Sequence, residues 1–158
     1  MGQRTAALAS QFEEAVAEFA DEIEKLPETK WNAISEEGWT VAATAQHVAG
    51  QFPLEMEYIT AAAEGRPLPS YSWDDINGKN DTRAAANTNA SKADVLKTLR
   101  DGSASTAAYI RSLDDEQLDR TGKLALAGGA EVTALQLIQG GVLIEHVTAH
   151  LKSIQAAG

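Results

Sequence analysis

The three histidines of the chain are the residues whose type and spacing most directly indicate chemistry. His146 and His150 lie four positions apart in the segment EHVTAH, residues 145–150, and His47 is the third. Residues four apart on a helix point the same way one turn apart, so this pair could chelate one divalent ion. A satisfied pair of core histidines is the alternative that the pair alone leaves open.

The pair is not the zinc-protease motif HExxH. That motif places a glutamate directly after its first histidine, and Val147 occupies that position here. Glu145 adjoins His146 on the other side, but it points about 100° away around the helix. We interpret Glu145 as a solvated carboxylate, and the alternative is a base or a hydrogen-bond partner of a ligand.

Apolar residues recur at steps of three and four in four segments, which predicts four main amphipathic helices in an all-α bundle. The segments are about 8–26, 41–63, 91–113 and 133–155. Thr133 is the predicted cap of the fourth helix, which we expect to continue through Gly140 and Gly141. These glycines cost about 1 kcal/mol each against alanine, so they indicate either close helix packing or room for a substrate.

The connections between the helices are less regular. Residues 74–90 could form a helix, although Gly78 and several asparagines weaken the pattern. LDDEQLDR indicates a short helical turn, and KLALAGGAEVT indicates either a small hairpin around Gly128 and Gly129 or an extended loop.

Antiparallel packing of the second and fourth helices would bring all three histidines to one level. His47 lies roughly 9 Å along the second helix, and the midpoint of His146 and His150 lies roughly 11 Å before the end of the fourth, at ~1.5 Å per residue. A parallel pairing would separate them by roughly 14 Å. Three neutral imidazoles suit Zn, Ni, Co, Fe or Cu better than Mg or Ca, and three protein ligands leave a coordination position open.

Other polar and aromatic residues are weaker candidates. Gln51 and Tyr58 share the helical face of His47 and could line a pocket or simply pack. We expect Trp39 to pack where the second helix begins. Asp75 and Asn80 could face the site, and solvated positions are the simpler interpretation.

The composition excludes several classes of function. The chain has no cysteine, so it has no disulfide, thiolate metal site or cysteine nucleophile. A net charge of −10 argues against nucleic-acid and anionic-membrane partners. No apolar run approaches the ~20 residues of a membrane span, and the N-terminus lacks the pattern of a signal peptide. We therefore expect one soluble, cytoplasmic domain over residues 1–158.

Two motifs resemble those of the DinB-like superfamily. GWTVAATAQHVAG, residues 38–50, is similar to its helix-2 motif, and LIEHVTAHLKSI, residues 143–154, is similar to its C-terminal His-x-x-x-His motif. The intervening LDDEQLDRTGK is also similar to the group. The resemblance implies a four-helix bundle of up-down-down-up topology, in which His47, His146 and His150 bind a divalent metal, commonly zinc or nickel. It also implies a homodimer.

The resemblance suggests the principal functional hypothesis, because members of that superfamily include thiol-dependent transferases and isomerases that use mycothiol, bacillithiol or glutathione. Since this chain has no cysteine, its thiol must be a small molecule. The sequence therefore favours a metal-dependent S-transferase that joins such a thiol to a small electrophile. The alternatives are a metal-dependent hydrolase, a non-catalytic metal-binding or stress-associated bundle, and a plain helical dimer with core histidines.

Overall fold

The computed structural model describes residues 2–157, and most of them lie in α-helices. The elements in chain order are α1 (Gln3–Lys25), α2 (Glu28–Trp31), α3 (Val41–Ala63), α4 (Trp73–Ala86), α5 (Lys92–Ser112), α6 (Asp115–Asp119), β1 (Thr121–Leu124), a 3-10 turn (Ala125–Ala127), β2 (Ala130–Thr133), α7 (Ala134–Gln139) and α8 (Ile144–Ala156). None of the helices between residues 2 and 157 is both long and apolar enough to cross a membrane.

The long helices α1, α3, α5 and α8 form a four-helix bundle. Helix α1 runs antiparallel to α5, because Glu13 pairs with Arg111 while Glu24 pairs with Arg100. Helix α3 runs parallel to α5. Its middle packs on Gly102, where an added Cβ would lie 2.8 Å from the ring of Phe52, and its end lies beside the segment that follows α5.

Helix α8 closes the bundle against both α1 and α3. It runs antiparallel to α3, because His150 lies near His47 at the start of α3 while His146 lies beside Glu55, two turns further along that helix. The directions of the four helices are therefore up, down, down and up. The all-α bundle and its predicted topology are confirmed.

The apolar stripes of the helices meet in one core. Helix α1 buries the periodic positions expected from the sequence, and the rings of Phe12 and Phe52 pack edge to face at 5.5 Å between centroids. Each fully buried aromatic or aliphatic side chain contributes about 1.5–3 kcal/mol relative to exposure. The largest fully buried side chains are Phe12, Phe19, Ile23, Phe52, Ile59, Leu99, Ile110, Leu113, Leu118, Ile138, Leu143 and Ile154.

Two connections outside the bundle cover one face of α3. Helix α4 begins at a capping box formed by Ser72 and Asp75, so residues 74–90 do contain the helix that the sequence indicated only weakly. Strands β1 and β2 pair antiparallel as the hairpin alternative required. Gly128 and Gly129 turn the hairpin with φ angles of +67° and +85°, which glycine adopts without strain.

The fourth predicted helix is interrupted, so the prediction of one continuous helix over 133–155 is wrong. Helix α7 ends at Gln139, the backbone of Gly140 turns to φ −86° and ψ −158°, and α8 begins at Ile144. The break is stabilised by hydrogen bonds from Gly140 N to Gln136 O at 2.8 Å and from Glu145 N to Gly140 O at 3.0 Å. The two glycines therefore end the helix and do not allow close packing of a continuous helix. Gly141 lines the cavity described below, which agrees with the alternative of room for a ligand.

The two glycines of the break are expected to differ in their tolerance of alanine. A Cβ at Gly140 would lie 2.7 Å from the carbonyl oxygen of Gln136, whereas a Cβ at Gly141 would meet no atom within 4 Å. We expect Gly140→Ala to lower the free energy of unfolding by about 1–3 kcal/mol through this overlap. We expect Gly141→Ala to change it by about 0.5 kcal/mol or less. Urea unfolding of both variants measures the difference, and equal midpoints would contradict the account.

Candidate metal centre

The structure brings the three predicted histidines together. His47 comes from α3, and His146 and His150 come from successive turns of α8. The Nε2 atom of His146 lies 3.0 Å from Nε2 of His47 and 3.1 Å from Nε2 of His150. One nitrogen from each ring lies within 4.8 Å of the other two, so the three could hold one ion. These residues are called the three-histidine cluster below.

Two of the three rings each have a glutamate carboxylate close to their Nδ1 atom. His150 Nδ1 is hydrogen-bonded to Glu37 Oε1 at 2.8 Å. His146 Nδ1 lies 2.8 Å from Glu55 Oε1, although the ring orientation falls outside hydrogen-bond geometry. A neutral imidazole that donates its Nδ1 proton to a carboxylate keeps the lone pair on Nε2, which is the atom a metal binds.

The donor set fits a divalent cation. When the Nδ1 protons are directed at Glu37 and Glu55, the Nε2 lone pairs of His146 and His150 face each other across 3.1 Å and repel. A cation between them converts that repulsion into coordination. Nitrogens bound to a tetrahedral ion at about 2.0–2.1 Å stand roughly 3.3 Å apart, so the observed spacing needs only a small adjustment. Two positive charges would also balance the two carboxylates.

Burial favours the neutral form of His47 and His150, which is the form that binds metal. His47 is only 4% exposed, and burial, followed by repulsion from His146 and His150, lowers its pKa to about 2. Burial and the charge of His146 likewise lower the pKa of His150, although the Glu37 carboxylate acts in the opposite direction. These nitrogens therefore lose little affinity to competing protons near neutral pH.

The carboxylates behind the rings have opposite pKa shifts. Burial raises the pKa of Glu55, which is 5% exposed. Burial acts the same way on Glu37, but hydrogen bonds outweigh it and lower the pKa of Glu37, and the strongest of these bonds comes from the Ser153 hydroxyl at 2.5 Å.

Neither of these two glutamates was predicted from the sequence. Glu55 lies eight residues after His47 on the same helical face, a signal that could have found it, whereas Glu37 lies in a loop without periodicity.

The three-histidine cluster lies in the wall of a cavity of about 700 Å³. Its lining comes from the loop before α3, from α3 and α4, from the hairpin, and from the α7–α8 break together with α8. Among the described residues, the lining contains Glu37, Trp39, His47, Gln51, Leu54, Glu55, Tyr58, Trp73, Ile76, Asn77, Asn80, Asp81, Leu124, Leu126, Ala127, Gly141, Val142, His146 and His150. The volume suits a small organic ligand.

The weaker candidates divide between the cavity and other places. Gln51, Tyr58 and Asn80 line the cavity. Trp39 also lines it, and its ring packs at an angle of 65° against His47 with 5.4 Å between centroids. Asp75 instead caps α4. Glu145 is exposed, in agreement with its interpretation as a solvated carboxylate.

Comparison with known proteins identifies the family. Residues 11–154 match the DinB superfamily. The chain belongs to that superfamily. The match spans both histidine motifs, so the resemblance inferred from them is confirmed. No curated protein sequence is significantly similar to this DinB-superfamily chain.

Several solved structures share the fold. YfiT from Bacillus subtilis, described as a probable metal-dependent hydrolase with an unusual four-helix bundle topology, has a TM-score of 0.77 at 17% identity, over 98% of this chain and 86% of YfiT. The mycothiol-dependent maleylpyruvate isomerase has a TM-score of 0.73 at 16% identity, over 99% of this chain and 64% of the isomerase. At these identities the likeness shows the fold alone.

A third structural neighbour bears on the expected partners. The colibactin self-resistance protein ClbS, solved in complex with a double-stranded DNA, has a TM-score of 0.69 at 12% identity, over 96% of this chain and 95% of ClbS. Shared fold at this identity does not transfer a ligand. The absence of a nucleic-acid partner, argued from the net charge of −10, stays a prediction.

Removing the negative charge behind the rings is expected to weaken metal binding. We expect Glu37→Gln and Glu55→Gln each to lower Zn²⁺ affinity by about 10- to 100-fold, because the carboxylates orient the imidazoles and increase their basicity. Glu145→Gln is the matched control, since Glu145 is exposed beside His146. Competition with a chromophoric chelator measures the affinities, and unchanged affinities in both test variants would contradict the assignment.

The metal-free protein is expected to lose stability in mild acid. The pKa of His47 is 6.5 in an unfolded chain and about 2 in the folded protein, so the unfolded state binds more protons below pH 6.5. This contribution is therefore present above pH 6.5 and is lost as the pH falls, with a slope approaching about 1.4 kcal/mol per pH unit.

The variant His47→Asn isolates that contribution. We expect its free energy of unfolding to fall less steeply than that of the parent protein as the pH is lowered through 6.5. Denaturant titrations of chelator-treated proteins at several pH values measure both slopes. Identical slopes would show that His47 is not held neutral by the fold.

Proposed function

We propose that the protein is a metal-dependent S-transferase in which His47, His146 and His150 hold a divalent ion, Zn or Ni. The observation that supports the proposal is the convergence of three imidazoles in the wall of an open cavity, with Nε2 of His146 3.0 Å and 3.1 Å from Nε2 of His47 and His150 and one nitrogen of each ring within 4.8 Å of the others. Three imidazole ligands leave a coordination position for a reactant, which is typical of catalytic rather than structural sites.

The ion would lower the pKa of a thiol or water that occupies its open position, which makes a nucleophile available near neutral pH. The protein supplies the positioning. Glu37 fixes the ring of His150 through Nδ1, and Ser153 fixes Glu37 in turn. Trp39 packs against the ring of His47 and limits solvent access on that side.

The thiol must come from solution, because the sequence contains no cysteine. Mycothiol, bacillithiol and glutathione are the candidates, and the fold shared with a mycothiol-dependent isomerase supports the class. In the reaction, the S–H bond of the thiol breaks and an S–C bond forms with the electrophile. The proton leaves with the displaced group in a substitution, or is added to the product in an addition, so no oxidant or reductant is needed.

Hydrolysis is the second candidate, and the description of YfiT as a probable metal-dependent hydrolase favours it. An ion held by the same three-histidine cluster would then activate a water molecule in place of a thiol. The two candidates differ in one observable property. A transferase consumes thiol in proportion to product, whereas a hydrolase turns over without thiol.

Metal content is the first measurement. We expect untagged protein to contain near-stoichiometric Zn or Ni by elemental mass spectrometry, and we expect His150→Ala to lose most of it. Glu145→Gln, a neighbouring exposed position, is the control that should keep the metal. No metal in any of these proteins, even after reconstitution, would return the histidines to a structural role.

Activity is the second measurement. We expect the metal-loaded protein to join a low-molecular-weight thiol to an electrophile such as 1-chloro-2,4-dinitrobenzene, and we expect chelation to abolish turnover. Turnover that survives complete metal removal would contradict the proposed mechanism. Turnover without thiol consumption would instead support the hydrolase.

A further inference from the structure

An exposed tryptophan lines the cavity at the start of α4. The side chain of Trp73 is 58% exposed, which is unusual for so large an apolar residue. Its Nε1 donates a hydrogen bond of 2.8 Å to the carbonyl oxygen of Leu126 in the hairpin connection. The bond fixes the indole, and because its only donor is already used, the remaining surface of the ring is apolar.

A second tryptophan lines the same cavity and is fixed in the same way. Trp39 Nε1 donates to Asp81 Oδ1 of α4 at 3.2 Å, and the ring contacts His47. The third tryptophan, Trp31, is buried in the core and bonds to Ala90 O, so it takes no part in the cavity. The cavity thus has two indoles held in position by hydrogen bonds that a ligand need not supply.

The rest of the lining is aliphatic, uncharged polar or acidic, and its uncharged polar side chains are Gln51, Tyr58, Asn77 and Asn80. Its aliphatic residues are Leu54, Ile76, Leu124, Leu126 and Val142. Its charged residues, apart from the histidines, are the carboxylates Glu37, Glu55 and Asp81, and no lysine or arginine is among the described lining residues. Arg83 of α4 donates to Gln51 at 2.9 Å and not to a lining carboxylate. An ion at the three-histidine cluster would balance Glu37 and Glu55, which leaves Asp81 as the negative charge of the remaining lining.

We propose that this cavity takes an uncharged electrophile with a flat, aromatic body that stacks on Trp73. Flat rings gain the most from a fixed indole, and the Asp81 carboxylate, which lies outside the three-histidine cluster, repels an anionic group on the ligand. The inference rests on the proposed function for the reaction that follows binding, in which the thiol sulfur forms the new bond to the ligand's electrophilic carbon. Binding of the aromatic body itself requires no metal.

Two dyes with the same ring system and different charge test the inference. N-phenyl-1-naphthylamine is neutral, and 8-anilinonaphthalene-1-sulfonate adds one sulfonate to the same rings. Fluorescence titration of chelator-treated protein measures the dissociation constant of each. We expect the neutral dye to bind at least about tenfold more tightly than the anionic one, which corresponds to about 1.4 kcal/mol.

Three variants locate the binding site. We expect Trp73→Ala to weaken the neutral dye about tenfold, an effect of about 1.4 kcal/mol. Ile34→Ala is the matched control, because Ile34 is 59% exposed and lies outside the cavity lining, and it should leave binding unchanged. We expect Asp81→Asn, which keeps an acceptor for Trp39, to reduce the preference for the neutral dye.

Each result decides the inference separately from the proposed function. Equal binding of the neutral dye to Trp73→Ala and the parent protein, or equal binding of both dyes, would overturn the aromatic site, as would no binding of either dye. Metal content and thiol turnover are measured on the same preparation. If the dyes bind as expected but the protein never contains metal, the aromatic site is supported and the S-transferase proposal is wrong. If turnover depends on metal but neither dye binds, the S-transferase proposal is supported and the aromatic site is wrong.

Discussion

The contact between α3 and α8 is the constraint on which the rest of the site depends. These helices run antiparallel, and the contact places Nε2 of His146 3.0 Å from Nε2 of His47 and 3.1 Å from Nε2 of His150. When the Nδ1 protons of His146 and His150 are directed at Glu55 and Glu37, this arrangement is costly without a cation, because the neutral nitrogens then bring lone pairs together in a buried place. The apolar core must hold α3 and α8 in register against this repulsion. Packing of the bundle therefore holds the three histidines close together despite the repulsion between their nitrogens.

The break between α7 and α8 is the second determinant of the site. If the helix continued through Gly140, its backbone would fill part of the space that Gly141 and Val142 now leave to the cavity. The chain restarts the helix at Ile144 in time to place His146 and His150 on consecutive turns. The interruption thus lets α8 present His146 and His150 to the cavity while its Val147, Leu151 and Ile154 pack in the core.

Much of this could be predicted from the sequence. The steps of three and four in residues 8–26, 41–63 and 91–113 identify helices because each stripe faces a core, and the antiparallel argument brings His47 level with His146 and His150. The helix break could not be predicted, because glycine lowers helix stability without deciding whether tertiary contacts maintain the helix. Glu37 could not be predicted either, since a loop glutamate reaches His150 only through the folded path of the chain.

The cavity has walls of two different origins. The histidines and Glu55 lie on bundle helices, whose spacing the core fixes. Trp73, Asp81 and Leu126 lie on α4 and the hairpin, which connect the long helices and lie outside the bundle. Connections tolerate insertion and exchange far better than packed helices do. Insertions or exchanges in α4 and the hairpin would therefore alter the Trp73 side of the cavity while leaving the spacing of the three histidines unchanged, so the two walls can vary independently.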